Sequence, residues 1–550
     1  MIPKLSEQAT FTYWGGNAML STFHGLEVAK RGIFTQQSAL YVTAHNIANA
    51  NTPGYSRQRV NFVETEPFPP ASMNRPQIPG QMGTGVEAGS IQRIRDSFLD
   101  YQYRNEASKL GYWSTRSEAI AKMEDIMNEP SEFGLSQAMT QFWEALQDLS
   151  TNPENEGARA VVRQRGVAVA ESFNYLYSSL SQIRDDLGQE IKTGLLEVNS
   201  ILKQISELNE QIKAVEPNGY LPNDLYDKRD ALVDELSKYF QVKVETVPSG
   251  GNALDIAEGI YEISLVNQDG STVKIVTKDS YSKLSVSPSI SGDPTNPDGY
   301  ISEIRIEDVL GNITTISYNK FDSLASGRIK SLIEAYGYGS DPDNVKGYYP
   351  DMLADLDKMA YSFATMFNAQ HREGYDLNNS NGVDFFEMNV SDNTTGKGAA
   401  ASIKVSDVIM SDLGKIAASS KSGESGNGNN ALYLSMIKDV QITNGSATLP
   451  SGSGTTVSVP ITGGTVQTFY QGLIGKIGVD GQQAERMKTN AETLATSVDN
   501  NRQSVSSVSL DEEMTNMIKF QHAYNAAARM ITAIDEILDK IINDMGIVGR

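Results

Sequence analysis

The sequence predicts an α+β multidomain fold: terminal helices paired in a coiled-coil-like layer, a long-helix bundle domain, and one or more inserted all-β domains. Three observations predict it. Both ends of the chain carry seven-residue apolar repeats, the spacing of a helix seam. A third such repeat runs through a long stretch around Ile191 to Val215. From about Val242 the texture changes to Val, Ile, Thr and Ser broken by Gly, Asn, Asp and Pro, which reads as short strands and turns.

At the N-terminal end Leu26, Ile33, Leu40 and Ile47 recur every seven positions, with Ala29 and Ala44 on nearby turns, so a helix is expected from about Thr22 to Asn49. It has to stop there. Pro53 denies Thr52 the helical conformation, and Pro53-Gly54 suits the centre of a type II turn, where Gly supplies the positive φ. Prolines between Glu64 and Gly85 mark an irregular connection, and "GVEAGSIQRI" reads as a strand. "RDSFLDYQYRNEASKLGYWSTRSEAIAKMEDIM" then reads as a long helix, and Leu135 to Leu149 as another. In the next helix Ile191, Val198, Ile205 and Ile212 are spaced by seven, and Leu187, Ile201, Leu208 and Val215 form a second row broken only by Gly194. So narrow a stripe predicts packing against one or two partner helices.

Pro and Gly signals in "VEPNGYLPND" precede a shorter helix, and the β-rich stretch follows. Helix returns from about Ser326 to Glu373. Beyond Gly374 a Gly-, Ser- and Asn-rich region that includes "SSKSGESGNGNN" reads as a second small β domain or a mobile loop. The last helix has the clearest pattern: Leu510, Met517, Tyr524, Ile531, Leu538 and Met545 keep step at seven, with Phe520, Ala527, Ile534 and Ile541 as a second row. Ser509 and Glu512 have the form of a capping box, and Asp511, Glu512 and Glu513 complement the positive end of the helix dipole.

These readings divide residues 19–550 as follows: 19–60 the N-terminal part of the terminal layer; 61–241 the first part of the helical domain; 242–320 a β insertion; 321–390 the second part of the helical domain; 391–475 a second small β or loop region; 476–504 the third part of the helical domain; 505–550 the C-terminal part of the terminal layer.

Composition narrows function. A chain of 550 residues can bury several cores. Its 46 Lys and Arg against 68 Asp and Glu give a net charge of −22, which repels nucleic-acid phosphates and anionic lipid. Neither nucleic acid nor membrane is expected as a partner. There is no cysteine and there are four His residues far apart in sequence, so no metal site, cofactor or catalytic residue is expected. Gly83-Thr84-Gly85 matches a loose dinucleotide pattern, but no helix opens after it, so a turn into a strand is the better reading. In "DLNNSNGVDFFE" Asp376, Asn378, Ser380 and Glu387 occupy calcium-loop positions one, three, five and twelve, yet Asn381 stands where that loop needs Gly. An Asx-rich turn is favoured, with calcium binding as the alternative.

"SALYVTAHNIANANTPGYSRQRV", with Asn46, Asn49, Pro53, Gly54 and Tyr55, resembles the N-terminal signature of the flagellar rod, hook and hook-associated axial proteins. "SLDEEMTNMIKFQHAYNAAARMITAIDEILDKIIN" is similar to their C-terminal signature. "GVEAGSIQRIRDSFLDYQYR", "PNDLYDKRDALVDELS" and "HREGYDLNNSNGVDFF" point within that family to the hook–filament junction members rather than to hook or distal rod proteins. The resemblance implies a ring of copies between hook and filament, exported by the flagellar type III pathway to the cell exterior. Its implied partners are hook protein, a second hook–filament junction protein, further copies of itself, and an export chaperone at the C-terminal helix. The terminal heptad residues are then the expected assembly interface, and because members of the family begin near the equivalent of "MLSTFHGLEVAKRG", the resemblance implies that residues 1–18 are an extension and Met19 the start. An enzyme displayed on an axial scaffold is the alternative from another class, and no nucleophile–base pattern supports it.

Overall fold

The computed structural model describes residues 22–73, 80–127, 134–267, 270–288, 299–317, 319 and 326–544. The expectations for residues 1–18, Met19 and Met545 lie outside the described residues. Among the described residues the first helix is α1 (Thr22–Ala48) and the last α-helix is α12 (Leu510–Asp539), and these two pair as one layer. A two-stranded antiparallel hairpin, β1 (Gln58–Glu64) and β2 (Val86–Arg93), lies against α1, where the Thr35 hydroxyl donates to the Val86 carbonyl at 2.9 Å.

The helical body contains α2 (Ser97–Met127), α3 (Leu135–Thr151), α4 (Glu156–Val215) and α5 (Asn223–Tyr239). The Asn155 side chain caps α4 by accepting from the Ala158 N–H. At 60 residues α4 is about 90 Å long, and it packs against α3, α5, α6 (Arg328–Tyr336) and α7 (Tyr348–Glu373). Its apolar stripe therefore serves more partners than the one or two expected from its width. Gly194, the gap in that stripe, is a close approach: a Cβ there would stand 3.1 Å from Ile329 Cδ1 on α6.

The β insertion is two antiparallel sheets. β3 (Val242–Val247), β4 (Ile260–Val266), β5 (Thr272–Thr277) and β6 (Ser280–Tyr281) form one in that order, and β7 (Lys283–Ser287), β8 (Glu303–Glu307) and β9 (Ile313–Ser317) the other. Its first and last residues lie side by side, because the Gln241 N–H donates to the Ser326 carbonyl at 3.2 Å. Gly327 follows at φ +128°, and a Cβ there would meet the Tyr239 carbonyl oxygen at 2.3 Å.

α6 (Arg328–Tyr336) and α7 (Tyr348–Glu373) return to the body, with β10 (Tyr338–Gly339) and β11 (Val345–Lys346) between them. The region after α7 is packed rather than a mobile loop. It holds β12 (Phe386–Glu387), α8 (Ala399–Ser402), β13 (Lys404–Val405), α9 (Asp407–Ser411), α10 (Asn429–Ser435) and a sheet of β14 (Ile442–Thr443), β15 (Ser446–Thr448), β16 (Thr456–Ser458) and β17 (Gly463–Gly464) in the order β16-β15-β14-β17. Phe385 and Phe386 enter an aromatic core with Phe142, Phe363 and Phe367. Gly428, inside the low-complexity run, lies so close to α3 that a Cβ would fall 1.9 Å from the Ser150 carbonyl oxygen.

α11 (Val466–Ser506) starts ten residues before the expected 476, because Thr465 and Thr468 cap its first turn reciprocally. Glycines 472, 475 and 478 disguise that start, yet a Cβ at any of them would meet nothing within 4 Å.

Candidate assembly interface

α1 and α12 run antiparallel. A Cβ at Gly25 would lie 3.3 Å from Ile534 Cδ1 and one at Gly32 would lie 3.7 Å from Ala527 Cβ, while Asn46 bonds Glu513. The residue numbers of each pair add to 559. The row of closest approach on α1 is thus Gly25, Gly32, Ala39 and Asn46, one residue ahead of the predicted Leu26, Ile33, Leu40 and Ile47. Those four are half-buried beside the row. Ala44, expected near the seam, is exposed, because the helix turns Ala29, Ala39 and Val42 inward instead. On α12, Met517, Tyr524, Ile531 and Leu538 are half-buried, and so are Phe520, Ala527 and Ile534. Leu510 is 48% exposed. Phe520 also reaches the hairpin, edge-on to Phe62 at 5.9 Å between ring centroids.

The turn motif closes the end of this layer. The Tyr55 N–H donates to the Thr52 carbonyl at 3.2 Å, with Pro53 and Gly54 between them and Gly54 at φ +79°. The Asn49 side chain bonds back to the His45 carbonyl at 3.1 Å and accepts from the Thr52 hydroxyl at 3.2 Å. Asn46 is the hub. Its amide nitrogen donates to the Gln58 carbonyl at 2.8 Å and to Glu513 Oε2 at 3.1 Å, and its oxygen accepts from the Tyr55 hydroxyl at 2.8 Å and the Gln58 N–H at 3.0 Å. Burial, then Asp227, Asp224 and Glu513, hold the Tyr55 hydroxyl well above the usual phenol range, so it stays a donor. Arg57 Nε completes Glu513 at 2.8 Å, and its Nη1 reaches Glu512 at 2.6 Å. Glu513 is 2% exposed, so it is not merely a dipole partner at a helix start.

Behind the turn, sequence reasoning missed a buried ion network. Arg93, at the end of β2, donates to Asp227 Oδ1 at 2.6 Å and Asp230 Oδ2 at 2.9 Å, and also pairs with Glu258. Arg104 on α2 donates to Asp230 Oδ1 at 3.1 Å and Asp234 Oδ1 at 2.8 Å. Arg502 of α11 pairs with Asp234, and the Ser56 N–H donates to Asp227 Oδ2 at 3.1 Å. Burial alone would push the Asp230 carboxyl up, but Arg95, Arg93, Arg104 and Arg229 hold it well below the usual carboxylate range. The network wires the hairpin, α2, α5, α11 and the β insertion to one point. Its signal was present: Asp224, Asp227, Asp230 and Asp234 share one face of α5, and Arg93 and Arg95 share one face of an extended segment.

Other candidates resolve without chemistry. Asp376 accepts from the Asn378 and Ser380 N–H groups at 2.8 Å each, an Asx turn, and from Lys415 Nζ at 2.8 Å, so an ammonium already stands on that carboxylate. The positive φ falls on Asn379. Gly382 is needed for packing, since a Cβ there would meet the His371 carbonyl oxygen at 2.0 Å. No group of three or more His, Asp or Glu able to hold a metal occurs among the described residues. Gly85 leads directly into β2 and no helix follows. His371 is fully buried, bonding the Val383 carbonyl through Nδ1 and accepting the Ala417 N–H at Nε2. No helix among the described residues is long and apolar enough to cross a membrane.

Comparison with known proteins places this arrangement. Residues 120–386 match the flagellar hook-associated protein FlgK helical domain, residues 26–55 the flagella basal body rod protein family, and residues 500–545 the flagellar basal body rod FlgEFG protein C-terminal family. Flagellar hook-associated protein 1 of Bacillus subtilis (strain 168) is 44% identical over 533 residues, covering 97% of this chain and 100% of that protein. The chain belongs to the flagellar hook-associated protein 1 family. The Salmonella typhimurium member is 26% identical over 584 residues, covering 94% of this chain and 98% of that one. The structure of the flagellar hook junction protein FlgK from Burkholderia pseudomallei shares the fold, with a TM-score of 0.57 at 15% identity over 74% of this chain and all of that one. As a hook-associated protein the chain is a structural component of the bacterial flagellum. The two rod-family matches fall on α1 with its turn and on α12, the two halves of the terminal layer.

Proposed function

We propose that this chain is a junction subunit that assembles as a ring between hook and filament through its terminal helices, and that its work is structural rather than catalytic. The observation that carries the reading is the outer surface of the α1/α12 pair. With the two helices paired, Phe23, Phe34 and Tyr41 of α1 and Met514, Ile518, Met530 and Ile537 of α12 remain exposed, Tyr41 by 78% and Ile518 by 56%. An apolar surface of that kind on a soluble layer marks a protein–protein contact. The occupants proposed for it are neighbouring copies, hook protein on one side and the second junction protein on the other. Before assembly the same residues of α12 are the place for an export chaperone, and export to the cell exterior follows the flagellar type III route.

The test is incorporation. In cells lacking the native protein, a chain ending at Ser504 should leave hook tips bare while its middle remains soluble and folded. Phe34→Asp with Ile518→Asp should block incorporation of a full-length chain without changing its helix content. Normal filament attachment with either variant would defeat the proposal.

A further inference from the structure

We infer that the buried contact between Asn46 and Glu513 sets the register at which the two terminal helices pair. The apolar part of the pair cannot do so. Its α1 row of Gly25, Gly32 and Ala39 repeats every seven residues, and so does the facing α12 row of Phe520, Ala527 and Ile534, so sliding one helix by a heptad again sets Gly or Ala of α1 against members of the same apolar row. Only the last member of one row and the first of the other are polar. At the observed register they meet at 3.1 Å, each nearly fully buried, and the second carboxylate oxygen is taken by Arg57.

A slip of seven in one direction puts Glu513 opposite buried Ala39, which has no side-chain donor, and Asn46 opposite Ser506 at the end of α11. A slip in the other puts Asn46 opposite Phe520 and Glu513 opposite Pro53. Either leaves a buried carboxylate or amide without its partner, a cost that the native register alone avoids. The competing restraint is the three-residue link from α11 to α12, residues 507–509. A heptad slip moves the helix by about 10 Å, which that link follows only by unwinding the adjoining turns.

The chain has no cysteine, so introduced pairs report the register cleanly. Ala527→Cys is combined in turn with Gly32→Cys, Gly25→Cys or Ala39→Cys in the full-length chain at dilution, and intramolecular disulfides are scored on non-reducing gels. The 32/527 pair has the native spacing, since a Cβ at Gly32 lies 3.7 Å from Ala527 Cβ, within the range of a disulfide; the other two pairs report slips of one heptad either way. Only 32/527 should close in the otherwise unchanged chain. With Asn46→Leu and Glu513→Leu added, 32/527 should fall and 25/527 or 39/527 should appear, whereas Glu513→Gln, which keeps an acceptor for the Asn46 amide, should retain 32/527 alone. Persistence of 32/527 alone in the double Leu chain would assign the register to the link and overturn the inference. Loss of all three crosslinks, or slippage in the Glu513→Gln chain, would overturn it too.

Discussion

Asp230→Asn should be among the most damaging single substitutions in the chain. The side chain is 1% exposed and lies among Arg93, Arg95 and Arg104 at N···O distances of 2.9, 3.5 and 3.1 Å, with the Tyr261 hydroxyl donating at 3.0 Å. At an effective dielectric constant of about 20, each unit-charge pair near 4 Å is worth roughly 4 kcal/mol, so three contribute about 12 kcal/mol gross, much of it offset by the desolvation of the carboxylate and the arginines. Removing one partner from such a group costs about 3 to 5 kcal/mol net, because it leaves buried guanidinium charge uncompensated. For a cooperative unit of 150 to 250 residues that is a fall in melting temperature of roughly 6 to 20 °C, read by circular dichroism at 222 nm and pH 7. The pH dependence gives a second check. The folded carboxyl is held below its unfolded value, so its contribution is fully present above the ordinary carboxylate range and is lost as pH falls through the folded value. The gap between wild type and Asn variant should therefore stay constant from pH 7 to 5. A fall of under about 2 °C, less than roughly 1 kcal/mol, would refute the view that this network holds the hairpin and the helices together.

Three further outcomes are expected. Burial pushes His371 down to about 4, so its contribution is lost as pH falls from 6.5 towards 4, while burial pushes Asp357 up to about 6 against the Gly398 and Ala400 N–H groups, so its effect runs the other way over nearly the same window. Each amounts to about 3 kcal/mol; Asp357→Asn should therefore make the melting temperature fall between pH 7 and 4, and His371→Gln should make it rise, in thermal melts across that range. Gly54→Ala places a side chain at φ +79° and 3.3 Å from Ala231 Cβ, and should cost about 1 to 2 kcal/mol, measured by denaturant titration. Gly428→Ala must displace the Ser150 backbone and should lower stability by about 1 to 3 kcal/mol, with hydrogen exchange rising around α10 first.

Long apolar side chains made the terminal layer legible. Leu26, Ile33, Leu40 and Ile47 announced α1, and the heptads from Leu510 announced α12. What they could not announce was the line of closest approach, since Gly25, Gly32 and Ala39 carry almost no hydrophobic weight and matter through the space they leave. The Thr52 to Tyr55 turn was readable because Pro and Gly act locally. The Arg93 and Asp230 network was not, because charges separated by more than a hundred residues reveal their pairing only once β2 and α5 are side by side. Phe385 and Phe386 were legible as a signature, and their place in the aromatic core came only with the packing of α3 and α7.

The hydrogen bond between Gln241 and Ser326 clasps the two stems of the β insertion, while Glu258 and Tyr261 tie its first sheet into the buried ion network. Because the stems are already clasped and the network residues of the insertion lie at that first sheet, the turn between β8 and β9 can grow or shrink without disturbing the wiring from the terminal layer to the helical body. A foreign segment with neighbouring ends, set at the exposed Val309 and Leu310, is the graft this scaffold carries with least disturbance.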